Sequence, residues 1–461
     1  MNNRLKPLFI KTILGFGLAF AVFALSSELR FGLVVPWMVL AVLLSRLDME
    51  RYAKFLRPEW VVLLAVAFRA LFFCVNYSGN MEVFQCGDGT QFWKWAQEAA
   101  VGGLPEVKSW TTVAAYAVIV KLAGCHLSVA IALNFALQLI TAWLLLVFGK
   151  RVFGPRQGLF AYTVYLLSPT FILLTFTTLS EHFFYLFMAL GLCALERWRV
   201  GNSWKWAASV AVFAWLATWS RGEGILLLAV AGGYIVCTLL EKVDNRRVVV
   251  LSIVAFVVSA SLMGLTGLLF NRSAFGVNTA FCSNDSWWPR LHGSNLETHG
   301  RLASKMPIYD MYLADHPGDP AGVRAKKKPN YCPPELVPYI KMETARRWRA
   351  MSLWTKIKFI VRKEHYDWAN AYAGRGRRKA QGIRGVIYEV VPVGVLLYAV
   401  WGLVLLLRKR QEVKLIELVP ILLIGGMVCV LMVYESNIRY GTMLLVLMPF
   451  YAGRRCDGIK D

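Results

Sequence analysis

Residues 128–149 read SVAIALNFALQLITAWLLLVFG and run directly into Lys150-Arg151. An uncharged helical stretch of this length, rising about 1.5 Å per residue, covers the ~30 Å hydrocarbon layer of a bilayer. A helix on a soluble core needs apolar residues on one stripe only, and here they run all round. The cations at its end mark a boundary with water. Working outward, similar apolar blocks are centred on 8–26, 30–47, 59–77, 156–174, 181–198, 204–220, 223–241, 247–270, 385–408, 414–434 and 437–453. The reading is an all-α polytopic membrane protein with about twelve transmembrane helices. Composition agrees: of 461 residues, 57% are hydrophobic and 17% charged, and the mean hydropathy is +0.49. Soluble domains carry nearer a quarter charged residues, which excludes an ordinary cytosolic enzyme.

The net charge of +23 does not call for nucleic acid, because basic loops facing cytoplasm and anionic lipid account for it. Nine cysteines show no CxxC or Cys/His ligand spacing, and several lie inside apolar blocks as packing residues. The first block lacks an A-x-A cleavage pattern and reads as a retained span. The apolar segment 111–123 is too short to cross and reads as interfacial.

The cations also fix sidedness. Lys150, Arg151 and Arg156, then Arg197, Arg199 and Lys205, then Lys242, Arg246 and Arg247, then Arg408, Lys409, Arg410 and Lys414 fall in alternate connections. The alternation places both termini in the cytoplasm. Three regions follow: 1–270 with nine helices and an outer loop at 78–127, a long outer loop at 271–384, and 385–461 with three helices. Within the long loop, KMETARRWRAMSLWTKIKFIVRKE (341–364) alternates basic and apolar residues at helical spacing, an amphipathic helix at the outer membrane surface.

Ionisable groups at a membrane edge are costly and so are functional candidates. Asp88 lies in Gln85-Cys86-Gly87-Asp88-Gly89-Thr90, ahead of Phe92, Trp93 and Trp95 on an expected interfacial helix. It reads either as a catalytic carboxylate or as a helix cap. Glu181 and His182 open the sixth span, where the helix dipole alone favours a carboxylate. Arg221 and Glu223, in Ser220-Arg221-Gly222-Glu223-Gly224, are either site residues or a local ion pair. Arg439, beside Tyr440, either binds an anion or snorkels to headgroups. Asp88, Glu181, Arg221 and Arg439 nevertheless share one side in a topology derived from other residues. Acids and arginines around an outward cavity suit a phosphate-bearing substrate.

The order of these features resembles the C-type (GT-C fold) membrane glycosyltransferases of the protein O-mannosyltransferase and lipid A aminoarabinose transferase type. The similar elements are Asp88, then Leu104-Pro105, Tyr116 and Leu122-Ala123-Gly124, then Lys150-Arg151-Val152-Phe153-Gly154, then Ser168-Pro169 followed by Glu181. Next come Ser220-Arg221-Gly222-Glu223-Gly224, Gly293-Ser294-Asn295 with Gly300, Lys363 before Trp368, and Arg439-Tyr440 with Pro449. The similarity spans most of 80–455 and rests on the order of short motifs. Two N-terminal spans are additional, glycines replace the acidic pair of the mannosyltransferase branch at Asp88, and Glu181 stands where Asp is more frequent.

The resemblance implies an enzyme that moves a sugar from a polyprenyl-phosphate donor to a cell-envelope glycan, glycolipid or protein, with inversion. It implies Asp88 as general base and Glu181 as its catalytic companion. Arg221, Lys363 and Arg439 would hold the donor phosphate, and His182, Glu223, Asn295 and Tyr440 would contact substrate. The resemblance fixes no cofactor, and divalent-metal use stays open because the family has both habits. The location implied is a bacterial inner membrane, with the lipid bilayer as a partner and the site on the outer face. The alternative from a different class is a transporter or flippase of lipid-linked sugars, which would place its polar residues near mid-membrane. Cys282 and Cys332 fall in the outer loop, where a disulfide is chemically permitted and Cys86 competes. Asn271-Arg272-Ser273 and Asn284-Asp285-Ser286 are formal glycosylation sequences.

Overall fold

The structure, a computed structural model, describes residues 5–26, 57–85, 88–103, 109–201, 203–239, 246–275, 278–281, 287–300, 306–319, 334–369, 383–408, 413–434 and 441–452. All regular structure among them is helical. The bundle is built from α1 (Leu5–Leu25), α2 (Pro58–Asn76), α3 (Asp88–Ala100), α4 (Trp110–Ala123), α5 (Leu127–Val152), α6 (Pro155–Leu167) and α7 (Pro169–Thr175). It continues with α8 (Glu181–Gly201), α9 (Trp204–Ser220), α10 (Ile225–Leu239) and α11 (Arg246–Phe275). The long loop contributes α12 (Trp287–Gly293), α13 (Met306–Asp315), α14 (Val337–Ala350) and α15 (Leu353–Ala369). The chain closes with α16 (Ile383–Arg408), α17 (Val419–Leu431) and α18 (Thr442–Leu447).

Local chemistry sets many of these boundaries. Pro58, Pro155, Pro169 and Pro420 sit in the first turn of their helices, where a missing N–H costs nothing. Pro169 also separates α6 from α7, which meet at 53°, because its ring cannot continue the preceding helix. Lys150 and Arg151 close α5, where the helix dipole favours cations.

Among the described residues, five helices are long and apolar enough to cross a membrane, or six if α6 and α7 form one bent span. The expected number was about twelve, and the shortfall has identifiable causes. The block at 30–47 lies outside the described residues. Helix α8 carries Glu181, Glu196, Arg197 and Arg199. Helices α9, α10 and α17 have 17, 15 and 13 residues, and the last block is divided between α18 and a 3₁₀ turn at Met448–Tyr451. These shorter helices still belong to the main core, with α8 and α9 packed together most extensively.

Close approach comes from small residues. Ala207, Ala211 and Ala214 line one face of α9 and are fully buried, so its neighbours α8 and α11 pack on backbone rather than on bulky side chains. A Cβ on Gly149 would lie 2.5 Å from Cα of Gly158, so α5 and α6 can touch only there as glycine. Outside the core, α2 exposes Trp60, Leu63, Leu71 and Val75, and α11 exposes Leu251, Val254, Val258 and Leu262. Such continuous apolar surface on hydrogen-bonded helices fits a bilayer environment.

The long loop has its own small core of Trp288, Leu291, Ile308, Tyr309, Leu336 and Ile340. Here the expected single helix over 341–364 is two. Met351 is extended, with ψ 132°, and the Ser352 hydroxyl accepts the Thr355 N–H at 3.2 Å, a cap that restarts the chain as α15. On α14, Arg346 and Arg347 donate to Glu343 at 2.7–2.8 Å. The Arg346 hydrogen bond, with help from Arg347 and against burial, holds that carboxyl down at about 2. Phe92, Trp93 and Trp95 are buried against protein, with Trp93 edge-on to Tyr116. Asn271 is buried and donates its side-chain amide to the carbonyls of Thr279 and Phe281 at 2.7 and 2.6 Å, which leaves no amide for a glycan. Asn284, Cys86, Cys282 and Cys332 lie outside the described residues.

Candidate functional site

Helix α9 ends at Ser220, and Arg221 leaves it in extended conformation at φ −150°, ψ 133°. The chain then folds back through a 3₁₀ turn, Gly222–Gly224. Gly224 is pressed against the end of α9, where a Cβ would stand 2.2 Å from the Thr218 nitrogen. This reversal aims Arg221 at the first turn of α8. Its Nη1 donates to Oε1 of Glu181 at 2.6 Å, and its Nη2 donates to Oε1 of Glu223 at 3.3 Å. Both ends of the shorter pair are largely buried, with side-chain exposures of 13% and 2%, so this is no solvated surface bridge. The local Arg221–Glu223 pair exists, but the short bond is the one that joins two helices. A narrow crevice beside the cluster is lined by Glu223, Phe184, Met188, Leu226, Leu423 and Met443.

Asp88 is the first residue of α3 and is exposed. Its neighbours stitch the start of α3 to the segment leading into α8. The Thr178 hydroxyl lies 2.6 Å from the Gly89 carbonyl and 2.7 Å from the Gln85 side-chain oxygen, and Gln85 Nε2 donates to the Phe176 carbonyl at 3.0 Å. Gly89 tolerates this approach because it lacks a Cβ, which would sit 3.1 Å from Gln85 Oε1. Asp88 is thus one residue from a contact whose other side lies three residues before Glu181. The start of α4 joins the same end, through Thr111 and Ser220 hydroxyls 2.7 Å apart. The start of α18 joins through the Tyr185 and Thr442 hydroxyls.

Lys363 belongs to a second neighbourhood at the C-terminal end of α17. It is fully buried, and its Nζ donates to the carbonyls of Gly293 and Met432 at 3.3 Å each. Its stem packs on Gly300, a residue at φ +77° where a Cβ would meet Lys363 Cδ at 2.7 Å. Asn295 shapes that loop: its Oδ1 accepts the Glu297 N–H at 2.9 Å, an Asx-type turn. His182 is buried with Nε2 2.9 and 3.1 Å from the Leu174 and Thr177 carbonyls, which fixes the turn after α7. The structure therefore joins Glu181, Arg221 and Glu223, sets Asp88 at the same end of the bundle through the Gly89–Thr178 contact, puts Lys363 and Asn295 beside one another in the long loop, and holds His182 against the turn after α7. Arg439 and Tyr440 lie outside the described residues.

The sequence reading passed over a buried polar network centred on Arg69, deep in α2. Its Nε donates to Thr175 Oγ1 at 2.9 Å, Nη1 to the Ala65 and Leu166 carbonyls at 3.1 and 2.9 Å, and Nη2 to Gln138 Oε1 at 2.7 Å. The Leu166 carbonyl is released by the break at Pro169. Nearby, Asn134 accepts from Tyr116 at 2.6 Å and donates to the Thr175 and Thr177 carbonyls at 3.0 and 2.9 Å. The signals were present in the sequence: an arginine inside an apolar run, and Asn134 and Gln138 four residues apart on one helix face.

Chemically, the gathered cluster offers an exposed carboxylate for proton transfer and a guanidinium held in place by two acids. Among the described residues no three His, Cys, Asp or Glu side chains converge as metal ligands do. The chain has no significant match among protein-family models, curated proteins or solved structures.

Proposed function

We propose that this chain is a membrane glycosyltransferase that moves a sugar from a polyprenyl-phosphate donor to a cell-envelope acceptor on the outer face of a bacterial inner membrane. In this reading both termini are cytoplasmic and about twelve segments enter the bilayer. The observation that carries it is the gathering of Asp88, Glu181, Arg221 and Glu223 at one end of the bundle. That end is opposite the one holding Lys150, Arg151 and Arg199.

Transfer joins the acceptor hydroxyl oxygen to the anomeric carbon while the anomeric C–O bond to phosphate breaks. The bonding pair leaves on the lipid phosphate, and Asp88 takes the hydroxyl proton. An inverting course follows from attack opposite the leaving phosphate. Glu181 and Glu223 hold Arg221 still, so an arriving phosphate meets a pre-organised guanidinium rather than a mobile one. Lys363 and Arg439 complete the anionic grip in this scheme, and Tyr440 borders it. In this reading His182 and Asn295 shape the loops around substrate.

The test is sugar release from a panel of polyprenyl-phosphate sugars by purified protein, with membrane extract as acceptor. Asp88→Asn should lower turnover by about 100-fold or more while a cooperative melting curve shows that the protein still folds. Undiminished turnover in that variant would remove Asp88 from the role. A transporter or flippase is favoured by a different observation: Arg69, buried within a span, contacts the broken helix pair α6–α7, and discontinuous helices near mid-membrane are a transporter device. Flipping of a donor in liposomes, with no transfer to any acceptor, would select that reading.

A further inference from the structure

Helix α15 is inside out. Its buried face carries Lys363 at 0% exposure, Asp367 at 0% and Glu364 at 5%, together with Trp368. Its outward face carries Leu353 at 75%, Trp354 at 63%, Ile357 at 44% and Val361 at 49%. Leu353, Ile357 and Val361 repeat every four residues and form one row; Trp354, Lys358 and Arg362 form the adjacent row. A helix facing water would bury the first row and expose the buried charges. The adjacent row pairs an aromatic with two exposed cations, and Lys358 Nζ lies 5.1 Å above the Trp354 ring. That composition suits the boundary between acyl chains and headgroup phosphates.

Position agrees with polarity. The C-terminal half of α15 packs on the last turns of α1, with Trp368 edge-on to Phe20 at 4.9 Å and His365 edge-on to Phe23 at 5.5 Å. Helix α1 is among the helices able to cross a bilayer, so α15 lies where that span emerges. Helix α14, by contrast, is docked on the loop core through Ile340, with Leu336 just before its start, and lacks such a face. We infer that the outward face of α15 is an anionic-lipid site. Leu353, Ile357 and Val361 seat in the outer edge of the acyl layer, and Lys358 and Arg362 bind the phosphate of an anionic phospholipid. The inference stands whether or not the chain transfers sugar.

The experiment uses the full chain in nanodiscs of phosphatidylcholine with or without phosphatidylglycerol, carrying an environment-sensitive fluorescent amino acid at Ile357. Expected is quenching by a nitroxide placed high on a lipid chain and protection from aqueous iodide, both stronger with the anionic lipid. In parallel, native mass spectrometry compares retention of the two lipids. K358Q/R362Q should lower the preference for phosphatidylglycerol by roughly tenfold or more, whereas K94Q/K121Q, an equal charge change on exposed lysines of α3 and α4, should leave it intact. Iodide access in every lipid overturns the proposal. So does equal loss in both double variants, or protection that appears only as protein concentration rises, which would mark a second copy of the chain as the occupant.

Discussion

Glu364 is the residue whose environment most departs from its chemistry. It is buried on α15; Oε2 accepts the Trp368 indole N–H at 2.8 Å, and Oε1 is buried without a hydrogen-bond partner. Burial raises this carboxyl from 4.5 to about 7, against the pull of the Trp368 hydrogen bond and the Lys363 charge. The folded protein therefore holds a proton that the unfolded chain releases near 4.5, so stability falls as pH climbs between those values. The penalty is absent on the acid side and complete above about 7, with an upper bound of about 3 kcal/mol. Glu364→Gln removes the charge and keeps an acceptor for Trp368. Its melting temperature in detergent should exceed that of wild type at pH 8 and converge with it near pH 4.5. Parallel curves over that range would show that Glu364 does not titrate there.

At the scale of elements, the break between α6 and α7 depends on the Arg69 network as much as on Pro169. Arg69→Met would strand the Leu166 carbonyl, which now receives a bond at 2.9 Å, and would leave Gln138 Oε1 with the Thr175 hydroxyl alone. The expected loss is about 2–4 kcal/mol, read as a lower melting temperature, with turnover per folded molecule retained. Unchanged stability with lost function would instead put Arg69 on a substrate path. The bend itself was legible at Ser168-Pro169, because proline acts locally, whereas the arginine that braces it draws on residues up to about a hundred positions away. The same division runs through the site. Glu181, Arg221 and Glu223 were legible singly, each at a helix end where a bland explanation was available. The 2.6 Å bond across forty residues was not, since nothing local says that the start of α8 faces the end of α9. Periodicity misled where it could not see a cap: 341–364 keeps helical spacing through Ser352, yet the hydroxyl restarts the helix. On α3, the three aromatics Phe92, Trp93 and Trp95 were legible as a cluster, but not that Trp93 packs on Tyr116 of α4 while Phe92 and Trp95 join the main core.

For the whole molecule, contacts between helix ends divide into two sets. One end joins Arg151 to Glu196 at 3.2 Å and Phe153 to Phe450 and Tyr451. The other joins Glu181 to Arg221, Thr111 to Ser220, and Lys363 to the Met432 carbonyl. The first end carries the connections rich in Lys and Arg, and the proposed topology therefore has it in the cytoplasm and the Asp88 end outside. Two exposed positions report on this assignment. Cys125, a free exposed thiol between α4 and α5, belongs to the Asp88 end. Gly201 closes α8 at the basic end, and a Cβ there meets nothing within 4 Å, so Gly201→Cys introduces a thiol without strain. A membrane-impermeant maleimide applied to intact cells should label Cys125, measured as the signal lost in Cys125→Ser, and should reach Gly201→Cys only after permeabilisation. Reversal of that pattern would turn the Asp88 cluster toward the cytoplasm. Nucleotide-activated sugars are available on that side, and a lipid-phosphate donor would no longer be required. For the proposed transferase, orientation thus decides the donor chemistry before any sugar is identified, because only a site on the far side of the membrane needs its sugar delivered on a lipid.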